Sequence, residues 1–156
     1  MENHYTIVLD MGQFSTKVGF GGENEPQHVF YTITGHPKYQ SITLNSEQKK
    51  QIYIGNEIVD HFGLYKVNYP LANGGEIVDW EGFRAIIDYI FYLLRVDPSM
   101  CRFLFTTNPF LSVESKKRLF EIFLEDYMVA GFYPVRGALL TMYSGGFDTG
   151  LIVDMG

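Results

Sequence analysis

Cysteine is almost missing from this sequence: Cys101 is the single example. A lone thiol excludes an internal disulfide and suits a reducing compartment. Because it precedes the apolar run Phe103–Phe105, it is expected to be buried and inert. Positive charge is also short. Lys and Arg number 12 against 18 Asp and Glu, for a formal net charge of −6, which argues against a general nucleic-acid binder. No apolar run approaches membrane-spanning length. The N-terminus lacks the basic-then-apolar order of a secretory signal, so a soluble intracellular protein with no membrane partner is the expectation. The G-x-x-x-x-G-K-[ST] spacing of a Walker loop is absent too. What the chain does have is 46% hydrophobic and 16% aromatic residues, too much apolar content for a disordered segment. Its 156 residues suffice for one domain with a real core.

Residues 6–22 carry the most chemistry. Ile7, Val8 and Leu9 form a short apolar run ending at Asp10, Gly12 allows a tight turn, and Lys17 opens a return strand through Val18 and Phe20 to Gly21 and Gly22. A hairpin thus brings a carboxylate, a turn and a lysine together. Backbone N–H groups of such a turn can converge on an anion, the lysine can neutralise a phosphate, and the carboxylate can hold a hydrated Mg²⁺. An ordinary hairpin, with Asp and Gly serving the turn and Lys solvated, has the same pattern. This stretch alone leaves the two readings level.

Further along, Val29–Ile33 reads as a strand and Gly35-His36-Pro37 as its break. Residues 38–51 form a polar, exposed excursion, followed by a short strand at Ile52–Ile54, a short helix over 57–62 and a strand at Leu64–Val67. Asn73-Gly74-Gly75 is a turn. Asp79 then caps a helix whose Trp80, Phe83, Ile87, Ile90, Phe91 and Leu94 share one face, before Pro98 stops it. Phe103–Thr106 is a buried strand. Ser112 caps a second helix, expected to bury Val113, Phe120, Phe123, Leu124 and Tyr127 and to expose Lys116, Lys117, Glu121 and Glu125. Phe132-Tyr133 is a short strand. Pro134 suits the first turn of a third helix, which buries Val135, Ala138, Leu139 and Met142 and ends at Gly145-Gly146. Residues 149–156 repeat the pattern of 6–12, with Thr, apolar residues and then Asp-Met-Gly. Two such copies, each behind a β-run, imply two half-sites facing each other across a ligand.

The sequence resembles the actin family, within the ribonuclease-H-like ATPase superfamily that includes sugar kinases and chaperone ATPases. The resemblance covers essentially the whole chain. It rests on Asp10-Met-Gly12 with Lys17-Val-Gly19-Phe20-Gly-Gly22, Val29-Phe30, Gly35-His-Pro37, Tyr53-Ile-Gly55-Asn-Glu57 and Tyr69-Pro70. Ile77-Val78 with Trp80, Leu94-Arg95-Val96-Asp-Pro98, and Tyr143 with Thr149-Gly150 to Gly156 complete it. An actin-related protein fits ahead of a conventional actin. The resemblance implies an α/β actin-type fold, with a mixed five-stranded sheet, flanking helices and a small inserted subdomain. Subdomain one would span 1–34 and 70–148 and subdomain two 35–69, with 149–156 opening a second half. ATP or ADP with Mg²⁺ would lie between the halves, near Asp10, Gly12, Gln13, Phe14, Ser15, Lys17, Asp154 and Gly156, with Asp10 and Asp154 positioning the metal through water. Residues 38–51 match the loop that contacts the next subunit in a filament.

The departures bear on mechanism. The family's Ser-Gly after Asp-x-Gly is Gln13-Phe14 here, and a Phe where Gly is expected threatens close approach to phosphate. The family's third helix begins with a Gln that orients the attacking water; the matching residue is Gly137, which has no side chain. No catalytic residue stands in, and His4 and His28 are not placed to substitute. The histidine that usually follows Tyr-Pro is replaced by Asn73. The resulting expectation is a cytoskeletal actin-related protein, cytoplasmic or also nuclear, with weak or no ATPase. Its partners would be other actin or actin-related subunits and actin-binding proteins. The alternatives are an active filament-forming ATPase and, further off, a kinase of the same superfamily. A 156-residue piece that stops on entering the second half is expected to bind ATP poorly. It would be a fragment of a longer product or a half-actin working with a partner.

Overall fold

The computed structural model describes residues 4–38, 52–72 and 74–153. In chain order the strands are β1 (Tyr5–Met11), β2 (Ser15–Phe20), β3 (His28–Tyr31), β4 (Thr34–Pro37) and β5 (Tyr53–Ile54), before helix α1 (Asn56–Val59). Then come β6 (Tyr65–Asn68), β7 (Leu71–Ala72), β8 (Glu76–Ile77), α2 (Trp80–Leu94), β9 (Cys101–Thr107), α3 (Val113–Phe120), β10 (Gly131–Arg136) and α4 (Gly137–Ser144). A five-stranded sheet has the order β10-β9-β1-β2-β3, with β1, β9 and β10 parallel and β2 and β3 antiparallel. A three-stranded sheet, β5-β4-β6, is inserted after β3, and β7 pairs with β8.

Strand alternation places the core. Ile7, Leu9 and Met11 of β1 and Cys101, Phe103 and Phe105 of β9 face one way and are buried. Against them lies the apolar face of α2, whose Phe83, Ile86, Ile87 and Ile90 are fully buried. Asp79 caps α2 as expected, its side chain accepting from Gly82 N at 3.0 Å. Phe123 completes the layer, stacked on Phe132 at 4.3 Å and tilted against Phe103 at 5.0 Å. Cys101 is buried, and burial together with nearby Asp97 pushes its thiol up to about 11.

Four expectations are corrected. Gly35-His36-Pro37 does not break a strand; it lies within β4. Pro37 is tolerated because at that rung β4 pairs only with Tyr65 of β6, β5 having paired with Thr34 and Gly35 alone. The third helix begins at Gly137, not Pro134, which lies in edge strand β10 opposite Phe105. Val135 is buried from that strand, whereas Ala138 is exposed and Leu139 and Met142 are half-buried. After α3 the chain continues as a π-helical turn over Glu121–Asp126, with Tyr127 N donating to Ile122 O at 3.0 Å. Within α3 the buried face already runs through Ser115 and Leu119, leaving Val113 and Phe120 exposed, and in the wider turn that follows Ile122 and Phe123 go in while Leu124 is exposed. Finally, Leu151–Val153 forms no strand and Leu151 and Val153 are exposed, since no described strand pairs with them. The loop at 39–51, Asn73, Asp154 and Gly156 lie outside the described residues.

Candidate functional site

The carboxyl ends of parallel strands β1, β9 and β10 share one edge of the large sheet with the β1–β2 turn. In open α/β sheets, ligands bind outside the carboxyl ends of the strands. The hairpin register pairs Asp10 with Lys17, so both side chains stand on one face, with Lys17 Nζ 3.6 Å from Asp10 Oδ2. The parallel register between β1 and β9 brings Thr106 beside Asp10, where its hydroxyl donates to Asp10 Oδ1 at 2.5 Å. One carboxylate oxygen is therefore fixed by a hydroxyl and the other faces a cation.

The turn from Gly12 to Phe14 is closed by Gly12 N donating to Ser15 O at 3.0 Å. A methyl group on Gly12 would sit 3.1 Å from that same oxygen, so the tight closure favours glycine. Phe14 O accepts from Thr32 N at 3.0 Å, which ties the turn to the chain leaving β3. The N–H groups of Gln13 and Phe14 have no acceptor among the described residues. Ser15 pairs with Tyr31 in the β2–β3 ladder. The Phe14 ring is exposed and packs edge-on to Tyr31 at 5.1 Å.

Asp10, Gly12, Gln13, Phe14, Ser15 and Lys17 are thus brought together on one turn and its two flanking strands. Gly137 opens α4 at the carboxyl end of β10, on the same edge two strands from β1. The Asp10 and Lys17 side chains are 46% and 52% exposed, so this edge is an open wall and not a closed pocket. Two surface clefts lie elsewhere, at the two ends of α2; one is lined by Asn68, Tyr69, Asp79 and Trp80, the other by His28, Tyr92, Arg95 and Asp97. Among the described residues no group of three or more His, Cys, Asp or Glu is placed to hold a metal directly. Thr106 joins this cluster with no local sequence signal to mark it. Only the register of two strands 96 residues apart puts it on Asp10.

The mixed five-stranded sheet with flanking helices is the actin-type α/β fold. Residues 1–156 match the Actin family model along their whole length, and the chain belongs to that family. Among curated proteins it is 33% identical over 159 residues to "Actin-related protein 2" of Arabidopsis thaliana, a match covering 100% of this chain and 40% of that relative. The chain therefore spans about two-fifths of the length of that relative.

Proposed function

We propose that this chain is part of an actin-related cytoskeletal protein that holds Mg²⁺-nucleotide without efficient turnover and works through filament or complex assembly. The observation that carries the reading is the Asp10–Lys17–Thr106 cluster beside a turn with two N–H groups that have no acceptor among the described residues. The donor set fits a phosphate and its metal. Two backbone N–H groups and one ammonium suit anionic oxygens, and a hydroxyl-fixed carboxylate suits a hydrated cation. Gln13, Phe14 and Ser15 would line the phosphate, with Lys17 as its counter-charge and Asp10 on the waters of the metal. Asp154 and Gly156 would supply the opposing elbow. Bound Mg²⁺ would neutralise phosphate charge.

The hydrolytic geometry is the weak part of this set. Gly137 offers no group to orient a water, and a methyl group placed there would meet nothing within 4 Å, so no side chain of the described residues fills the position. The subdomain bounds of this reading are those the resemblance implies, one over 1–34 and 70–148 and two over 35–69, with 149–156 leading into a second half; the three-stranded sheet inserted after β3, from Thr34 to Asn68, supports a separate inserted unit. Other actin or actin-related subunits and actin-binding proteins are the partners this reading gives, in the cytoplasmic cytoskeleton and with a nuclear site open. The survival of Asp10 and Lys17 favours a second reading, an active filament-forming ATPase.

The test measures binding of a fluorescent ATP analogue with Mg²⁺ to the protein and to its Lys17→Met variant, alongside phosphate release. The proposal expects at least tenfold weaker binding for the variant, since a lost charged contact is worth about 1.5–3 kcal/mol. It also expects phosphate release near background. Equal binding by both proteins would remove the site, and release at actin-like rates on assembly would establish the second reading.

A further inference from the structure

The three-stranded sheet has an unpaired edge. Its order is β5-β4-β6, which leaves the far side of β6 without a strand among the described residues. The register fixes which backbone groups face that side. β4 pairs with β6 as Thr34–Asn68, Gly35–Val67, His36–Lys66 and Pro37–Tyr65, and one rung further on Lys38 N donates to Leu64 O at 2.9 Å. Hydrogen-bonded and non-hydrogen-bonded rungs alternate in an antiparallel pair. The rungs at Lys66 and Asn68 are therefore the bonded ones, and the N–H and C=O groups of Tyr65 and Val67 point away from β4. Neither N–H has an acceptor among the described residues.

This edge runs into a surface groove. Val67, Asn68 and Tyr69 form one wall, and Val78, Asp79 and Trp80 the other. Tyr69 and Val78 are 56% and 55% exposed. One charge of each sign marks the track. Lys66 is exposed and has no ion-pair partner among the described residues. Asp79 Oδ1 is engaged with Gly82 N at 3.0 Å as the helix cap, which leaves Oδ2 available as an acceptor. A second copy of this chain is a poor occupant. Two β6 edges paired about a two-fold axis through their Tyr65 and Val67 groups would set Lys66 opposite Lys66, on a rung where side chains are closest and like charges repel.

We propose that β6 takes up an extended segment of a partner protein as a fourth, antiparallel strand. The segment carries an acidic residue opposite Lys66, a β-branched residue opposite Val67 and a basic residue opposite Asn68, beside Asp79. The Tyr65 and Val67 backbone groups bind any extended chain, as in strand addition to a sheet edge. The charges at Lys66 and Asp79 then select sequence, direction and register, because a slip of one residue would turn every side chain to the other face.

The experiment titrates a blocked peptide with the core Lys-Val-Glu-Val into the 156-residue chain, followed by ¹⁵N shifts and amide hydrogen exchange. In the free chain the Lys66 and Asn68 amides should exchange slowly and those of Tyr65 and Val67 fast. Saturating peptide should shift the Tyr65 and Val67 amides and slow their exchange by about tenfold or more. The same peptide with both valines N-methylated lacks the donors of the new rungs and should do neither. Lys66→Glu should weaken binding by about threefold or more, the effect of turning a cross-strand attraction into a repulsion, while its Asn68 amide stays slow and shows the sheet intact. Slow exchange of Tyr65 and Val67 in the free chain, no response to the peptide, equal binding of the N-methylated peptide, or undiminished binding by Lys66→Glu would each overturn the proposal.

Discussion

Replacing Glu76 by Ala should unseat the start of α3, and the structure gives the size of the effect. Glu76 Oε2 accepts from Ser112 N at 3.1 Å, and Oε1 accepts from Ser112 Oγ at 2.8 Å and from Ser115 Oγ. Ser112 Oγ in turn accepts from Ser115 N at 3.1 Å as the helix cap. One carboxylate from β8 therefore organises the whole first turn of α3. Hydrogen bonds to a charged group are worth about 1.5–3 kcal/mol. They share one carboxylate and the Ser112 cap survives, so a net loss of about 2–4 kcal/mol is expected, not the sum of all three. For a chain of this size about 1 kcal/mol lowers Tm by about 2–4 °C, and Tm should fall by about 5–15 °C. The sign with pH follows from the same contacts. The Ser115 hydrogen bond, ahead of those from Ser112, holds the Glu76 carboxyl below its ordinary value, against the opposing effect of burial. A carboxyl lowered on folding contributes stability that is present above its unfolded value near 4.3 and is lost as pH falls through the folded value. In calorimetric or circular-dichroism melts, the gap between wild type and Glu76→Ala should be full at pH 7 and shrink below about pH 4. An unchanged Tm at pH 7, or a gap constant down to pH 3, would refute the clamp.

Two further outcomes concern buried titrating groups. Cys101 is buried with its thiol pushed up to about 11, so iodoacetamide at pH 8 should leave the folded chain unmodified and alkylate it fully in denaturant; labelling of the native chain within minutes would contradict this. Tyr127 donates to Asp88 Oδ1 at 2.7 Å and to Arg84 O at 3.2 Å, and burial first, then the Asp88 contact, raises its phenol. Its stabilisation is complete below the unfolded tyrosine value near 10 and is lost as pH rises past the folded one. Tyr127→Phe should cost about 1–2 kcal/mol at pH 7, and a melt indistinguishable from wild type would count against that network.

The fold was legible where one local pattern decided it. The apolar run Ile7–Leu9 and the helical stripe from Trp80 to Leu94 each match a single local pattern, and both elements form, the strand extending past Asp10 to Met11. The misses fall where tertiary context overrides a local rule. Pro134 reads as a helix start but sits in an edge strand, where its missing N–H is harmless. The Gly35-His36-Pro37 segment reads as a break, yet two neighbouring strands hold it in register. The π turn after Phe120 adds a residue to the repeat, which no count at 3.6 residues per turn anticipates. At the site, Asp10 and Lys17 were visible because a hairpin makes them neighbours in sequence as well as in space. Thr106 and the Glu76 clamp were not, since each contact joins segments far apart along the chain.

In the proposed function the sheet edge carrying Asp10 and Lys17 would face phosphate, while Gly137 offers no side chain to aim a water. Phosphate release by the wild-type protein and by Gly137→Gln, each with saturating Mg²⁺-ATP, tests this most directly. The open space beside Gly137 admits the longer side chain, so the variant should fold. Background release is expected from the wild type and an increase of at least tenfold from Gly137→Gln, the effect of orienting a nucleophile. Rapid release by the wild type, with no gain on adding the glutamine, would contradict it.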